Sequence, residues 1–443
     1  ATPGASSRRS ISATRARHQP AVEAPIVLNR RVAREVAVRD GVTRFAALLA
    51  QHVTDDPSQW LWMHRRWKYT SARRALVLSD GKPGHLKQSR LVAEALKARR
   101  ADLTYDVVDI RYRNALARGL ALCWSWWMPR PLGASWCLRW TLHPQSANIL
   151  LRRYADVVIS CGAAAAPANV LWASENNAKS VVIMDPSPLP LRRFHLVIAP
   201  RHDQLPKRSN VLQTMGALSE MDEGVLQGAA GRLRDHPNYR RVDRQATMSR
   251  TRGHGTVASS PQHSTVSVFL GGDTVHYELT VAFAEALMAQ ILAACEAMDG
   301  WCLVTTSRRT SPAVERVLSE QLAKRLQCRL LLIASRDAID GTMEGMLGSA
   351  DVAVVTGESI SMVSEACASG RPVIVVEPPL RHADRTTLTK HQRFLRDMAH
   401  EGYVRMSLIP EVGHAIRLAL AEGRPKKRLD NLTPVVEAAS RLL

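Results

Sequence analysis

At 443 residues with 46% hydrophobic content, the chain is long enough for two or three domains, each with its own core. No apolar run reaches the roughly 18 residues that a spanning helix needs. The seven cysteines include no CxxC pair, which argues against zinc ribbons and disulfide frameworks and suits core thiols in a reducing compartment. A net charge of +20 calls for an anionic partner. With no helix-turn-helix or RNA-binding signature, an anionic membrane surface ranks ahead of general arginine bias, and nucleic acid is not expected.

Residues 1–34 are rich in Ser, Arg, Ala and Pro without periodicity, which predicts disorder. Early arginines with no acidic residue before Glu23 would also suit a mitochondrial presequence. The start at Ala1 points to processing, truncation or a longer reading frame. From residue 35 an amphipathic helix is predicted, with Val42, Phe45, Ala46, Leu49 and Val53 on one face. An aromatic and basic run follows: Trp60, Trp62, His64, Arg65, Arg66, Trp67 and Lys68. This run, "DPSQWLWMHRRWK", closely resembles the C-terminal end of lipid A lauroyl-type acyltransferases. Residues 1–70 lack that family's H-x4-D pair, so the resemblance implies an inert remnant and suggests a lipid A acyltransferase domain as a partner.

Strands and helices alternate from Arg74 onward. "RALVLS", "YDVVDI", "ADVVISC", "KSVVIM" and "FHLVIAP" read as strands of a first Rossmann-like, acceptor-side domain over 74–235. Residues 236–263 are polar and basic and read as a linker. "VSVFLGG", "WCLVTTS", "RLLLIAS", "DVAVVT" and "PVIVV" then build a second Rossmann-like, donor-side domain over 264–443. The expected fold class is α/β, with two parallel-sheet domains facing a cleft behind a helical and disordered N-terminal extension. Ligands of such sheets bind beyond the carboxyl ends of the strands, so the loops there carry the candidate chemistry.

On the donor side, Thr356-Gly357-Glu358-Ser359 turns from a strand into a helix whose free N–H groups and positive dipole end suit an anion. Ser361 lies in that first turn, and Glu365 deeper in the helix is a carboxylate for ribose hydroxyls. The plainer reading is an ordinary βαβ unit with serine caps and a surface glutamate. Gly271 and Gly272 allow a phosphate to approach the backbone. Asp273 would repel it if it pointed inward, and could instead cap the next helix. Ser307, Arg308, Arg309 and Thr310 form a strand-end loop able to grip a diphosphate, or merely a solvated turn. On the acceptor side, His85 is the candidate base, with Asp80 as its rival. Gly84 precedes His85, and Lys82 and Lys87 could hold an acceptor phosphate. Gly162 opens a small-residue loop (162–167) where backbone comes close to ligand or to the other domain. Asp185-Pro186 is a turn that could touch acceptor. His382, Asp384 and Lys390 could line the cleft. Trp124, Trp126, Trp127, Arg130, Trp136 and Arg139 read either as a membrane contact or as a buried aromatic cluster. With no D-x-D pair and no His/Asp ligand cluster, neither metal nor cofactor is expected, and a nucleotide sugar would enter as co-substrate.

Two further resemblances rest on these motifs. "GESISMVSEACASGRP" is similar to the donor-binding run of GT-B glycosyltransferases, above all the bacterial enzyme that adds N-acetylglucosamine to the peptidoglycan lipid precursor. Gly84-His85 matches the Gly-His of that enzyme's first loop. "LSDGKPGHLKQS", "SCGAAAAP", "FLGGD", "TTSRRTSP" and "VVTGESISMVSEACASGRPV", in this order, resemble the "elongated mitochondria" fission-factor family over residues 74–443. Together the resemblances imply a bacterial GT-B-type glycosyltransferase, peripheral on the cytoplasmic face of the inner membrane. It would pass sugar to a lipid-linked envelope acceptor such as lipid A or lipopolysaccharide core. The alternatives are a non-catalytic scaffold that recruits partners to a membrane and a sugar-nucleotide epimerase.

Overall fold

A computed structural model describes residues 24–27, 32–55, 72–127, 133–240, 263–337, 339–381 and 388–443. The chain divides into two units, residues 1–70 and 71–443. In the first, the expected helix runs over Arg34–Asp55, and Val42 and Phe45 on its apolar face are exposed. The run from Trp60 to Lys68 lies outside the described residues, as do the greater part of the 236–263 linker, Arg130, His382 and Asp384.

The second unit holds two parallel six-stranded sheets. The first comprises β1 (Arg73–Ser79), β2 (Leu103–Asp109), β3 (Val157–Cys161), β4 (Lys179–Ile183), β5 (Leu196–Pro200) and β6 (Val211–Thr214). The second comprises β7 (Thr265–Phe269), β8 (Trp301–Thr305), β9 (Cys328–Leu332), β10 (Val352–Thr356), β11 (Val373–Val376) and β12 (Arg405–Met406). The inner strands are apolar on both faces because helices cover both sides of a parallel sheet. All five residues of β3 and of β10 are buried. Each Val, Leu or Ile buried this way contributes about 1.5–3 kcal/mol.

Strand order fixes where a ligand can sit. The first sheet runs β2-β1-β3-β4-β5-β6, so the order reverses between β1 and β3. The second runs β12-β11-β10-β7-β8-β9 and reverses between β7 and β10. Adjacent crossovers leave to opposite faces at these points and open a crevice at the carboxyl rim. Two Rossmann-like domains joined in this way form a GT-B-like α/β fold. All seven cysteines are free thiols, six of them buried, and Cys123 is exposed.

Packing divides differently from the boundary drawn at 235/236. The helix Glu223–Arg234 packs on the helix Thr342–Ser349, and its Leu226 and Leu233 join the core of the second sheet. The C-terminal helix Leu432–Ser440 returns the other way, placing Val435, Val436 and Ala439 in the core of the first sheet. Linear order cannot show such an exchange, because an amphipathic helix fits any complementary apolar face within reach. The helix after β7 begins at Val281, where the Thr280 side chain caps it by accepting from the Phe283 N–H. Tyr277 is fully buried outside it.

Candidate functional site

The first crevice begins where β1 ends. The helix Pro83–Arg99 follows at once, with Pro83 at its first position and His85 in its first turn. His85 Nδ1 lies 2.9 Å from Asp80 Oδ2. A carboxylate only accepts, so Nδ1 carries a proton, and in the neutral ring the lone pair is on Nε2. The two residues taken as rival bases are therefore partners: Asp80 orients, and His85 presents the basic nitrogen. Asp80 is nearly buried while His85 keeps partial access to solvent. Asp80 Oδ1 also accepts from the Lys82 N–H at 3.2 Å, and the Lys82 ammonium stands 3.8 Å from Oδ2.

Gly162, at the start of the helix Gly162–Asn176 after β3, packs against the His85 ring. A Cβ there would lie 2.7 Å from His85 Cε1, and its φ of +75° is itself unfavourable for a side chain. Asn169 anchors the same helix from inside: its Nδ2 donates to Ser160 Oγ and the Val181 carbonyl, both at 2.8 Å. A buried polar side chain in an alanine-rich helix signalled such an anchor, and the sequence reading passed over it.

The second crevice is tied shut by hydrogen bonds. Gly271 N–H donates to Thr356 Oγ1 at 2.8 Å, and Thr356 Oγ1 donates to Glu358 Oε1 at 2.9 Å. The Thr310 hydroxyl donates to the Gly271 carbonyl and accepts from the Ser307 N–H at 2.9 Å. Loops after β7, β8 and β10 thus form one platform. Its glycines are demanded by close approach: a Cβ at Gly271 would lie 1.7 Å from Glu358 Oε1, and one at Gly272 2.2 Å from the Arg309 backbone. Arg308 and Arg309 are exposed, as is Ser361, whereas Gly357 and Ser359 are buried. Ser359 stands at the N-cap of the helix Ile360–Ala368 without a side-chain cap bond, so the opening N–H groups keep no serine partner there.

Glu358 was not assigned a role from sequence, yet its carboxyl sits at the centre of this platform and is 1% exposed. Burial raises its pKa, while Thr356 and the charge of Arg309 act the other way. Its Oε2 lacks a hydrogen-bond partner among the described residues. Asp273 turns away from the crevice. It accepts from the Leu279 N–H at 3.0 Å and pairs with Arg381 at 3.0 Å, and Thr280 rather than Asp273 caps the next helix.

Glu365 and Lys87, assigned to opposite substrates, meet each other instead. The Lys87 ammonium donates to Glu365 Oε1 at 2.9 Å, with Glu344 3.9 Å away. This pair joins the first helix of one domain to the helix after β10 of the other. Burial raises the Glu365 pKa even against Lys87. Burial opposes the Lys87 charge, but Glu365 and Glu344 outweigh it and raise the lysine pKa. Nearby, Gly216 leaves room for Ser364, whose Oγ accepts from the Ala217 N–H at 3.1 Å.

A histidine-rich wall borders the second crevice. The His391 and His276 rings lie 6.1 Å apart, and His391 is 5.9 Å from Tyr277, whose hydroxyl donates to Glu377. Burial, together with Lys390, His276 and Arg309, lowers the His391 pKa to about 4. His202, from the loop after β5, packs edge-on against Phe394 at 5.5 Å, and burial followed by Lys390, His391 and Arg393 brings its pKa to about 4. Of His382, Asp384 and Lys390, Lys390 is in place at this wall, its charge acting on both His391 and His202. Spacing in sequence held no cue to it, because its members come from five separate segments. Asp185 serves its own turn, accepting from the N–H and hydroxyl of Ser187 at 2.9 and 2.6 Å.

The tryptophans read as a membrane contact or aromatic cluster lie between β2 and β3. The helices Ala115–Trp127 and Ala134–Thr141 carry them. Trp124 is half-buried and packs on the first core, while Trp126, Trp127 and Trp136 are exposed, as is Arg139.

Taken together, these features define a two-domain Rossmann-type protein with an oriented histidine at one carboxyl rim and a glycine platform at the other. The profile of the family described as Mitochondrial fission ELM1 matches residues 83–418, and the chain belongs to that family. It is 27% identical over 247 residues to the mitochondrial fission protein ELM1 of Arabidopsis thaliana, covering 50% of this chain and 51% of that protein. The chain thus spans about half the length of this curated relative. Among solved structures, MurG of Acinetobacter baumannii superposes with a TM-score of 0.44 at 15% identity, covering 83% of this chain and 99% of MurG. UDP-GlcNAc 2-epimerase of Methanocaldococcus jannaschii superposes with a TM-score of 0.48 at 12% identity, covering 83% and 99% of the two chains.

Proposed function

We propose that the chain is a glycosyltransferase that moves a sugar from a nucleotide-sugar donor to a lipid-linked envelope acceptor, such as lipid A or lipopolysaccharide core, at the cytoplasmic membrane face. The observation that carries this reading is the Asp80–His85 hydrogen bond at the β1 rim. An imidazole held by a carboxylate with its second nitrogen free is what deprotonation of an acceptor hydroxyl requires. In the proposed step, His85 Nε2 takes the hydroxyl proton as the oxygen attacks the anomeric carbon. The nucleoside diphosphate leaves with the bonding electrons. Arg308, Arg309 and the N–H groups opening the helix Ile360–Ala368 would meet its charge. Lys82 and Lys87 would attract a phosphorylated acceptor.

A second reading, a non-catalytic scaffold that recruits partners to a membrane, draws support from two observations. Lys87 already occupies Glu365, and the Glu358 carboxyl fills the space beside Gly271 that a phosphate would use. Calorimetry of the full chain with UDP, CMP, GDP and ADP separates the two. The transferase reading expects one nucleotide to bind selectively and Glu365→Ala to weaken it. If no nucleotide binds at low salt, the scaffold stands in its place.

A further inference from the structure

Between Asp109 and Asp156 the sequence holds seven arginines and neither Asp nor Glu. Within it, the helix Ala115–Trp127 is apolar on two sides. Ala117, Ala121 and Ser125 face the core. Leu116, Leu120 and Trp127 recur at the same helical interval on the opposite side, and they are 81%, 65% and 79% exposed. The helix Ala134–Thr141 continues this surface: Trp136 and Trp140 are exposed, with ring centroids 5.5 Å apart, and Trp136 lies 6.3 Å from Trp124. Arg139, one position before Trp140, is exposed on the second helix, whereas Arg118 is exposed on the first helix's other flank, away from Leu116, Leu120 and Trp127. Exposed leucine and tryptophan on one surface this continuous are uncommon on a monomer without a binding role.

The scaffold beneath is firm. Arg113 N–H donates to the Thr141 carbonyl at 3.0 Å and His143 N–H to the Arg111 carbonyl at 2.7 Å, clasping the base of the helix pair. Cys137 and Leu138 join Leu76 and Leu78 in the first core. The segment also leaves the sheet beside the candidate base, since the Ile110 N–H donates to the carbonyl of Ser79, the residue before Asp80, at 2.7 Å.

We propose that this face docks on an anionic lipid bilayer. Tryptophan and leucine would enter the headgroup boundary, and Arg139 beside Trp140 would pair with lipid phosphate. A second copy of the chain fits poorly, because a two-fold contact would set arginine against arginine. The inference rests on exposure and charge and is independent of the nucleotide-sugar reading.

The test is co-sedimentation of the full chain with phosphatidylethanolamine vesicles, with and without phosphatidylglycerol. Binding is expected only to the phosphatidylglycerol vesicles and is expected to fall with salt. Leu116→Ser with Trp127→Ser should weaken it about 20-fold or more, and Arg139→Ser about 5-fold. All three side chains are exposed, so folding and any nucleotide binding should be unchanged in these variants. Failure of the parent to sediment with phosphatidylglycerol vesicles at low salt overturns the proposal. So does equal sedimentation of parent and variants, or a dimer by light scattering that the variants abolish.

Discussion

The two crevices are built on opposite plans. At the β1–β3 reversal a single hydrogen bond, Asp80 to His85, orients one partly accessible ring. At the β7–β10 reversal, three loops are knotted through Thr310, Thr356 and Glu358 around two glycines. The first arrangement suits proton transfer, which needs a free nitrogen and access. The second suits holding a ligand, which needs fixed backbone.

The sharpest way to break this contrast is at His85. Under the transferase reading His85→Ala should lower kcat by about 10²- to 10⁴-fold. Asp80→Asn should cost less, about 10- to 100-fold, and shift the acid limb of the pH profile. A larger loss from Asp80→Asn than from His85→Ala would make Asp80 the base and His85 the residue that positions it.

His202 offers the next largest effect, on stability. Its folded pKa of about 4 lies below its ordinary value near 6.5, so the unfolded chain binds the extra proton between these limits. Stability should therefore fall as pH drops from about 6.5 to about 4, by about 3 kcal/mol from this group alone. His202→Phe should flatten that part of the denaturant midpoint against pH. An unchanged slope would place the acid sensitivity elsewhere.

Gly272→Ala probes the knotted crevice. Its Cβ would meet the Arg309 backbone at 2.2 Å, and backbone has little room to yield. A loss of about 1–3 kcal/mol is expected, with weaker nucleotide binding, whereas Gly84→Ala meets open space and should cost well under half as much. Thermal denaturation of the two variants makes the comparison.

The smallest effect belongs to the bridge between the domains. Lys87→Met leaves Glu365 buried without its partner and should cost about 1 kcal/mol, less than for a fully buried pair because the lysine is half exposed. Adding Glu365→Gln should recover most of it. A double variant no more stable than Lys87→Met would mean that the pair carries no coupling.

Much of the plan was legible along the chain. Apolar runs ending in Gly-rich turns located the strands, and the loops at their ends held His85, Gly162, Gly271 and Gly357. Periodicity marked the helix that runs over Arg34–Asp55. Partnerships were not legible. Asp80 and His85 read as competitors because both looked basic enough to serve, and only their 2.9 Å contact assigns one to orient the other. Glu358 read as a turn residue, and Lys87 and Glu365 as ligands of different substrates.

The sequence by itself determined the two alternating blocks, their rims and the positions where backbone must pass close, since hydrophobic period and glycine placement are local properties. Tertiary structure alone decided which helix completes which core, which carboxyl is buried, and which charges meet across 278 residues. Those outcomes depend on distances between segments remote in the chain, and desolvation and pairing act through space rather than along it.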